Sequence, residues 1–324
     1  MKKVAKVFLY SILAIVLILA VFLGYLKFGL PKVSNVESVK IESTPELVAR
    51  GKYLAHSVSA CMDCHSERDW SLYSGPLVSG TLGKGGEKFS KELGFPGTFT
   101  AKNITPSALG SWTDGEIFRA ITEGVSKDGR ALFPVMPYLN YAKMDKNDIY
   151  AIIAYLRTIA PIENEVAESK ATFPMSIILN TLPKKATFTT IPDKSNTIAY
   201  GEYLFNAASC TDCHTPQKHG QAVEGMYLAG GFKFQLQGGG TVVSSNITPD
   251  KETGIGTWTE QTFVSRFKMY ADSAYTPLQV AKGTFNTYMP WTMYGTMDTS
   301  DLKAIYAYLQ SVKPISNKVT KFIP

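Results

Sequence analysis

The sequence predicts an all-α protein made of two copies of one domain behind an N-terminal membrane-spanning helix. Three observations predict it. Val7–Leu26 is an uncharged apolar run of 20 residues, a five-residue Cys/His motif occurs twice, and an amphipathic helix pattern closes the segment after each motif. A chain of 324 residues has room for about two domains.

The apolar run (VFLYSILAIVLILAVFLGYL) has the length, about 20 residues, that a helix needs to cross the hydrocarbon core. Lys2, Lys3 and Lys6 precede it, which keeps the short N-terminus in the cytoplasm and exports the bulk of the chain. A cleaved signal peptide is the competing reading of residues 1–32. The apolar core exceeds the roughly 7–15 residues usual there, and no small-x-small cleavage site stands clearly after it, so a retained anchor is favoured. Five of the 33 basic residues lie in this segment, and the rest of the chain has 28 against 27 acidic side chains. Such a balance does not indicate a nucleic-acid partner.

After a polar tether at Val33–Glu42, a helix entry is expected at Ser43-Thr44-Pro45-Glu46, with Ser43 or Thr44 as cap and Pro45 in the first turn. The helix leads to Cys61-Met62-Asp63-Cys64-His65, which returns as Cys210-Thr211-Asp212-Cys213-His214. Cys-x-x-Cys-His is the attachment pattern of c-type haem: two thiols a helical turn apart add to the two porphyrin vinyl groups, and the His turns an imidazole nitrogen to the iron. A four-cysteine zinc site or a pair of redox dithiols also uses Cys-x-x-Cys, but neither calls for a His directly after the second Cys. All four cysteines of the chain lie in these motifs.

The repeat extends well beyond the motif. Arg50-Gly51-Lys52-Tyr53-Leu54 matches Tyr200-Gly201-Glu202-Tyr203-Leu204, and Asn103-Ile104-Thr105-Pro106 matches Asn246-Ile247-Thr248-Pro249. Trp112-Thr113 returns as Trp258-Thr259, Met136-Pro137 as Met289-Pro290, and Asp145–Pro161 as Asp298–Pro314. From the Cys motif onward the offsets are 149, 143, 146, 153 and 153, a drift that small loop insertions explain. The expected layout is an anchor at 1–32, a first domain at 43–161, a linker at 162–196 and a second domain at 197–324. Asp145 and Asp298 should cap the closing helices, with Asp148 and Asp301 favourably placed near the positive helix end. Gly83–Gly86 and Gly238–Gly240 read as loops with room for a short hairpin. The apolar patch Phe173–Leu182 is too short to span a membrane and should pack along one or both domains.

Each iron needs a second axial ligand. Met136 and Met289 lie 71 and 75 residues after His65 and His214, recur in register and precede a Pro that favours extended backbone. Met144 and Met297 also pair, but they stand directly before the closing helices, where a hydrophobic staple is expected. Met293 has Asn140 at its equivalent position. His56 and His219 are not equivalent and read as surface or supporting residues, and Trp112 and Trp258 as packing near a haem edge.

With these motifs the chain resembles diheme c-type cytochromes, specifically the membrane-anchored cytochrome c subunits of periplasmic alcohol and gluconate dehydrogenases. The resemblance covers roughly Pro45 to Ile315, and Asn-Ile-Thr-Pro is its most restrictive motif. It implies two tandem cytochrome c domains, each with one covalent c-type haem, at Cys61, Cys64, His65 and Met136 and at Cys210, Cys213, His214 and Met289. The implied role is an electron carrier without catalysis of its own. It relays single electrons at the outer face of the cytoplasmic membrane, between a dehydrogenase or quinol-oxidising complex and a terminal oxidase or soluble cytochrome. Those dehydrogenase subunits often carry a third haem domain and a C-terminal anchor; two motifs and an N-terminal apolar segment are also similar to the diheme subunit of some haem–copper oxidases. The alternative class is a haem enzyme, such as a diheme peroxidase or a thiosulfate-oxidising cytochrome. It needs an open or displaceable ligand at one iron, or a special Cys or His ligand.

Overall fold

A computed structural model describes residues 2–218 and 220–324. Helix α1 (Lys2–Phe28) is long and apolar enough to cross a membrane, and the span Lys3–Phe28 buries nothing against the rest of the chain. The tether that follows is not free. Ser34 donates through its N–H and its hydroxyl to Glu123, both at 2.8 Å, and Ile41 N–H donates to Asp114 at 2.9 Å. Lys146 meets Glu37 at 2.9 Å.

The first half contains α2 (Pro45–Tyr53), α3 (Cys61–Cys64), α4 (Pro106–Leu109), α5 (Asp114–Glu123), α6 (Tyr138–Tyr141) and α7 (Lys146–Leu156). After the linker helix α8 (Met175–Ile178), the second half repeats all of them but α4, as α9 (Thr197–Ala207), α10 (Cys210–His214), α11 (Glu260–Lys268), α12 (Trp291–Tyr294) and α13 (Thr299–Ser311). Thr44, not Ser43, caps α2 by accepting from Leu47 N–H at 3.2 Å. In each half the helix that leads to the Cys motif crosses the closing helix at a glycine. A Cβ on Gly51 would lie 1.8 Å from the Ala151 carbonyl oxygen, and one on Gly201 1.9 Å from that of Ala304. The repeated Gly is therefore the contact point of α2 with α7 and of α9 with α13, and no larger residue fits. Around these crossings Leu54, Ile149 and Ile153 are fully buried, as are Leu204 and Leu302 in the second copy.

The two copies differ by one residue just before the motif. Cys61 lies seven positions after Leu54, whereas Cys210 lies six after Leu204. The extra residue is absorbed by a π-turn, Leu54–Val58, closed by Ser59 N–H to the Leu54 carbonyl at 2.7 Å. His56 sits on this turn.

The all-α expectation needs correction. The Gly-rich stretches form small antiparallel sheets: β1 (Lys88–Phe89), β2 (Gly97–Thr100) and β3 (Lys170–Ala171) in one, β6 (Lys233–Gln235), β7 (Thr241–Val243) and β8 (Phe322–Ile323) in its counterpart. A hairpin of β4 (Gln217–Lys218) and β5 (Gln221–Ala222) is extra to the second half. Strands of two to four residues are too short to show an alternating pattern, which is why the sequence reads as loop. The first sheet takes its third strand from beyond Pro161. The patch Phe173–Leu182 packs against the foot of α1, where Asn180 Nδ2 donates to the Leu26 carbonyl at 3.1 Å.

The halves meet through a reciprocal pair of tyrosines. Tyr53 donates to Asp301 at 2.7 Å and accepts from the Asp298 N–H at 3.1 Å. Tyr203 donates to Asp148 at 2.6 Å and accepts from the Asp145 N–H at 3.2 Å. Each tyrosine thus finishes the first turn of the other half's closing helix. Burial first, then the facing carboxylate, raises both phenols well above the ordinary tyrosine range, so both stay protonated donors.

Because a carbonyl cannot retreat from a helix crossing without moving the helix, Gly201→Ala is expected to cost about 1–3 kcal/mol. A thermal unfolding midpoint within a degree of the parent's would show that α9 and α13 do not touch there.

Candidate functional site

The site is built twice from the same parts. Helices α3 and α10 both start after a residue in the left-handed region, Ala60 at φ 47° and Ser209 at φ 55°. The turn before each is held from outside. Tyr141 donates to the Ser59 carbonyl at 3.0 Å and Tyr294 to the Ala208 carbonyl at 2.6 Å. These tyrosines follow the two Met-Pro segments by a helical turn, so each Met-Pro stretch is anchored to its own Cys motif.

His65 Nδ1 lies 2.7 Å from the Lys102 carbonyl oxygen, and His214 Nδ1 lies 2.8 Å from that of Ser245. A carbonyl can only accept, so Nδ1 carries the proton and Nε2 keeps its lone pair free for a metal. Burial lowers both imidazoles below the ordinary range, with the carbonyl bond opposing it in part, which keeps the rings neutral ligands.

Lys102 and Ser245 immediately precede the two Asn-Ile-Thr-Pro segments, which gives that motif a physical role. Asn103 Oδ1 accepts from the Thr105 N–H at 2.9 Å and hydroxyl at 2.8 Å, while its Nδ2 donates to the Ile162 carbonyl at 2.8 Å. Asn246 makes the same bonds to Thr248 and to the Ile315 carbonyl, at 2.9, 2.8 and 2.8 Å. The motif is a self-locked turn tied to the chain leaving the closing helix. Its carbonyl is held in place from the other side by a glycine. Gly85 N–H donates to the His65 carbonyl and Gly230 N–H to that of His214, both at 2.8 Å. Both glycines have positive φ, +73° and +71°, and a Cβ would come within 2.5 Å of the Lys102 carbonyl carbon or 2.4 Å of that of Ser245.

Met136 and Met289 are half-buried, and their carbonyls accept from Tyr138 and Trp291 N–H, each at 2.8 Å. Met144 and Met297 are at most 1% exposed, enclosed in the core next to the closing helices. The thiols are unbonded to one another. Burial pushes Cys61 and Cys213 up to about 12 and raises Cys64 and Cys210 as well, the reverse of an activated redox dithiol. Among the described residues no group of three His, Cys, Asp or Glu could hold a metal ion, which leaves the four-cysteine zinc reading without a donor set. Paired thiols one turn apart, a neutral imidazole with Nε2 free and a half-buried thioether in each half fit a covalent haem.

Sequence reasoning missed the residue between the cysteines, although Cys-x-Asp-Cys-His is spelled twice. Asp63 is buried against Arg68, 2.7 Å away, and burial, opposed by that guanidinium, pushes it up to about 6. Arg68 also donates to the carbonyls of Gly75 (2.7 Å) and Ser74 (2.6 Å). Asp212 instead accepts from the Asn140 amide of the first half at 2.8 Å. Of the spare histidines, His56 bonds the Tyr155 hydroxyl at 2.6 Å, and His219 lies outside the described residues. Trp112 and Trp258 pack against the core, and their carbonyls accept from Arg157 and from the Tyr306 hydroxyl, both at 2.6 Å.

Residues 198–313 match the cytochrome c family. Over most of its length the chain is similar to the cytochrome c subunit of a quinone alcohol dehydrogenase from Gluconacetobacter polyoxogenes, 28% identical over 309 residues, 89% of this chain and 61% of that protein. It is similar to the cytochrome c subunit of a gluconate 2-dehydrogenase from Pantoea cypripedii, 27% identical across 91% of this chain and 64% of that protein. A diheme c-type cytochrome from Cereibacter sphaeroides is 28% identical across 85% of this chain and 91% of its own length. The resemblance carried by the repeated motifs therefore stands, while the chain spans less than two thirds of the two dehydrogenase subunits.

Removing the Asn246 side chain takes away the acceptor of Thr248 and the tie to Ile315. Asn246→Ala is expected to lose about 1–3 kcal/mol of stability. A denaturant midpoint equal to the parent's would remove the locking role.

Proposed function

We propose that this chain is a diheme electron carrier made of two tandem cytochrome c domains, residues 43–161 and 197–324, tethered by α1 to the outer face of the cytoplasmic membrane. The observation that carries this reading is the pair of imidazoles, His65 and His214, each turned by the carbonyl just before an Asn-Ile-Thr-Pro segment, Lys102 or Ser245, so that Nε2 is free. Cys61 and Cys64 would hold one haem and Cys210 and Cys213 the other, with Met136 and Met289 as the opposite ligands. The bound haems supply one-electron chemistry. The protein's own part is to keep each imidazole neutral and oriented, and Met136 and Met289 would each offer a thioether to the iron of their own half. A thioether raises the potential relative to a second imidazole, which suits delivery to an acceptor at the high-potential end of a respiratory chain. A His and a Met from the chain for each iron would leave none for substrate, which favours a carrier over a haem enzyme.

The similarity to dehydrogenase cytochrome subunits supports a membrane dehydrogenase as the electron donor, with a terminal oxidase or a soluble cytochrome as acceptor. The two motif carboxylates differ in their partners: Asp63 is paired with buried Arg68, and Asp212, at the surface, accepts from the Asn140 amide. A positive charge beside an iron disfavours its oxidised form, so Arg68 raises the potential of the first site.

In Met136→Ala and in Met289→Ala, one of two haems is expected to become high-spin with a lowered potential. Unchanged optical spectra in both variants would remove these ligands. A redox titration of Arg68→Gln should show a lowered potential; two potentials equal to the parent's would remove Arg68 from the electrostatics of the first site.

A further inference from the structure

Where α1 ends, the tether and the first half enclose an open cavity of about 520 Å³. Its lining includes Lys32, Ser34, Asn35, Arg119 and Lys185, and contains three cations and no acid. The nearest carboxylates are already engaged. Glu123 accepts from Ser34 N–H and hydroxyl and from Ala186 N–H, and Asp128 is paired with Ser126 and Arg130. Arg119 spends one Nη2 donor on the Ser126 carbonyl at 2.7 Å, but its Nε is buried without a partner. Its Nη1 makes no hydrogen bond among the described residues and is not among the buried atoms, which leaves a guanidinium donor beside two lysines for an anionic oxygen.

The surroundings say which anion. Pro31 and Lys32 on the lining lie within four residues of Phe28, the last residue of α1. Phe28 is 83% exposed, and Phe173, on the linker segment that packs against the foot of α1, is 79% exposed. Lys27, Lys184 and Lys185 are exposed as well. Aromatic side chains and lysines ringing the end of a spanning helix make up the composition of a membrane interface.

We propose that this cavity holds the phosphate headgroup of an anionic phospholipid, whose acyl chains lie along the apolar surface of α1. The inference rests on reading α1 as membrane-spanning. Arg119 meets a phosphate oxygen through Nη1, and Lys32 and Lys185 balance its charge from either side. The bound lipid locks the tether to the first half, and so sets how the haem-bearing halves face the bilayer.

The test uses the full-length, haem-loaded protein in detergent and native mass spectrometry, with dioctanoyl phosphatidylglycerol, dioctanoyl phosphatidylcholine and inorganic phosphate as probes. One phosphatidylglycerol is expected to bind, in preference to phosphatidylcholine. Arg119→Gln and Lys185→Gln should each weaken it about tenfold, as the loss of one charge-assisted contact does, with haem spectra unchanged. If Arg119→Gln fails to load haem, Lys32→Gln and Lys185→Gln decide alone, because these surface lysines make no hydrogen bond or ion pair within the protein. Phosphatidylglycerol binding unchanged in the variants overturns the site. Inorganic phosphate bound as tightly as the lipid reduces it to a general anion site and overturns the lipid assignment. Alkaline carbonate extraction from membranes separates the underlying reading: release of the parent chain removes the anchor, whereas retention with unchanged lipid binding in the variants removes the site alone.

Discussion

The bond from an imidazole Nδ1 to a backbone carbonyl is the contact on which the rest of each half depends. It needs a carbonyl fixed in space, and a loop does not fix one by itself. The Asn of Asn-Ile-Thr-Pro does so by folding the loop onto its own side chain and tying it to the strand of chain that leaves the closing helix. A glycine at positive φ lets the backbone after the histidine come against that carbonyl. The closing helix is in turn held against the entry helix where Gly51 and Gly201 allow contact. Three separate sequence signals, Gly-x-Tyr-Leu, Asn-Ile-Thr-Pro and the terminal helix, are therefore one mechanical chain that ends at a ring nitrogen.

The two halves are coupled by the same logic. A buried carboxylate near the start of a helix is costly unless its lone pairs are met. Asp148 meets Arg50 of its own half, at 2.8 Å, and Tyr203 of the other; Asp301 meets Tyr53 across the interface. Neither closing helix has its first turn completed without the opposite half. The apolar core accordingly runs through both halves as one cluster. Separating the halves would expose two carboxylates and two phenols at once, so the pair behaves as one folding unit more than as beads on a linker.

Much of this was legible in the sequence. The duplicated Cys motif, the closing helices and the apolar N-terminal run were all read from residue type and spacing, and each appears in the structure as a helix. What stayed illegible has a common physical cause: it depends on contacts that carry no period. The strands are too short for alternation. Tyr53 and Tyr203 read only as members of the repeated helix entry, since nothing in a repeat says which face meets a second copy. The tether at 33–42 reads as polar and free because its partners, Glu123 and Asp114, are distant in sequence. The π-turn is an intermediate case. The one-residue difference between Leu54–Cys61 and Leu204–Cys210 was visible, but only a helix that must keep its register on both sides turns a one-residue insertion into a π-turn.

The drift in the repeat offsets has the same kind of explanation. The first half has six more residues between its Cys motif and Asn103 than the second has before Asn246, and the second has seven more between Trp258 and Met289 than the first has before Met136. These insertions meet each other. Tyr73 N–H donates to the Leu278 carbonyl and Val280 N–H to that of Ser71, both at 2.8 Å. Ser74 N–H donates to Asn286 at 2.9 Å, and its hydroxyl donates to the Met289 carbonyl at 2.6 Å. Arg68, buried against Asp63 of the first motif, holds the base of the same loop through the Ser74 and Gly75 carbonyls. One continuous set of bonds thus runs from the first Cys motif to the backbone of Met289. The insertions that blur the repeat are what make the second site incomplete without the first half.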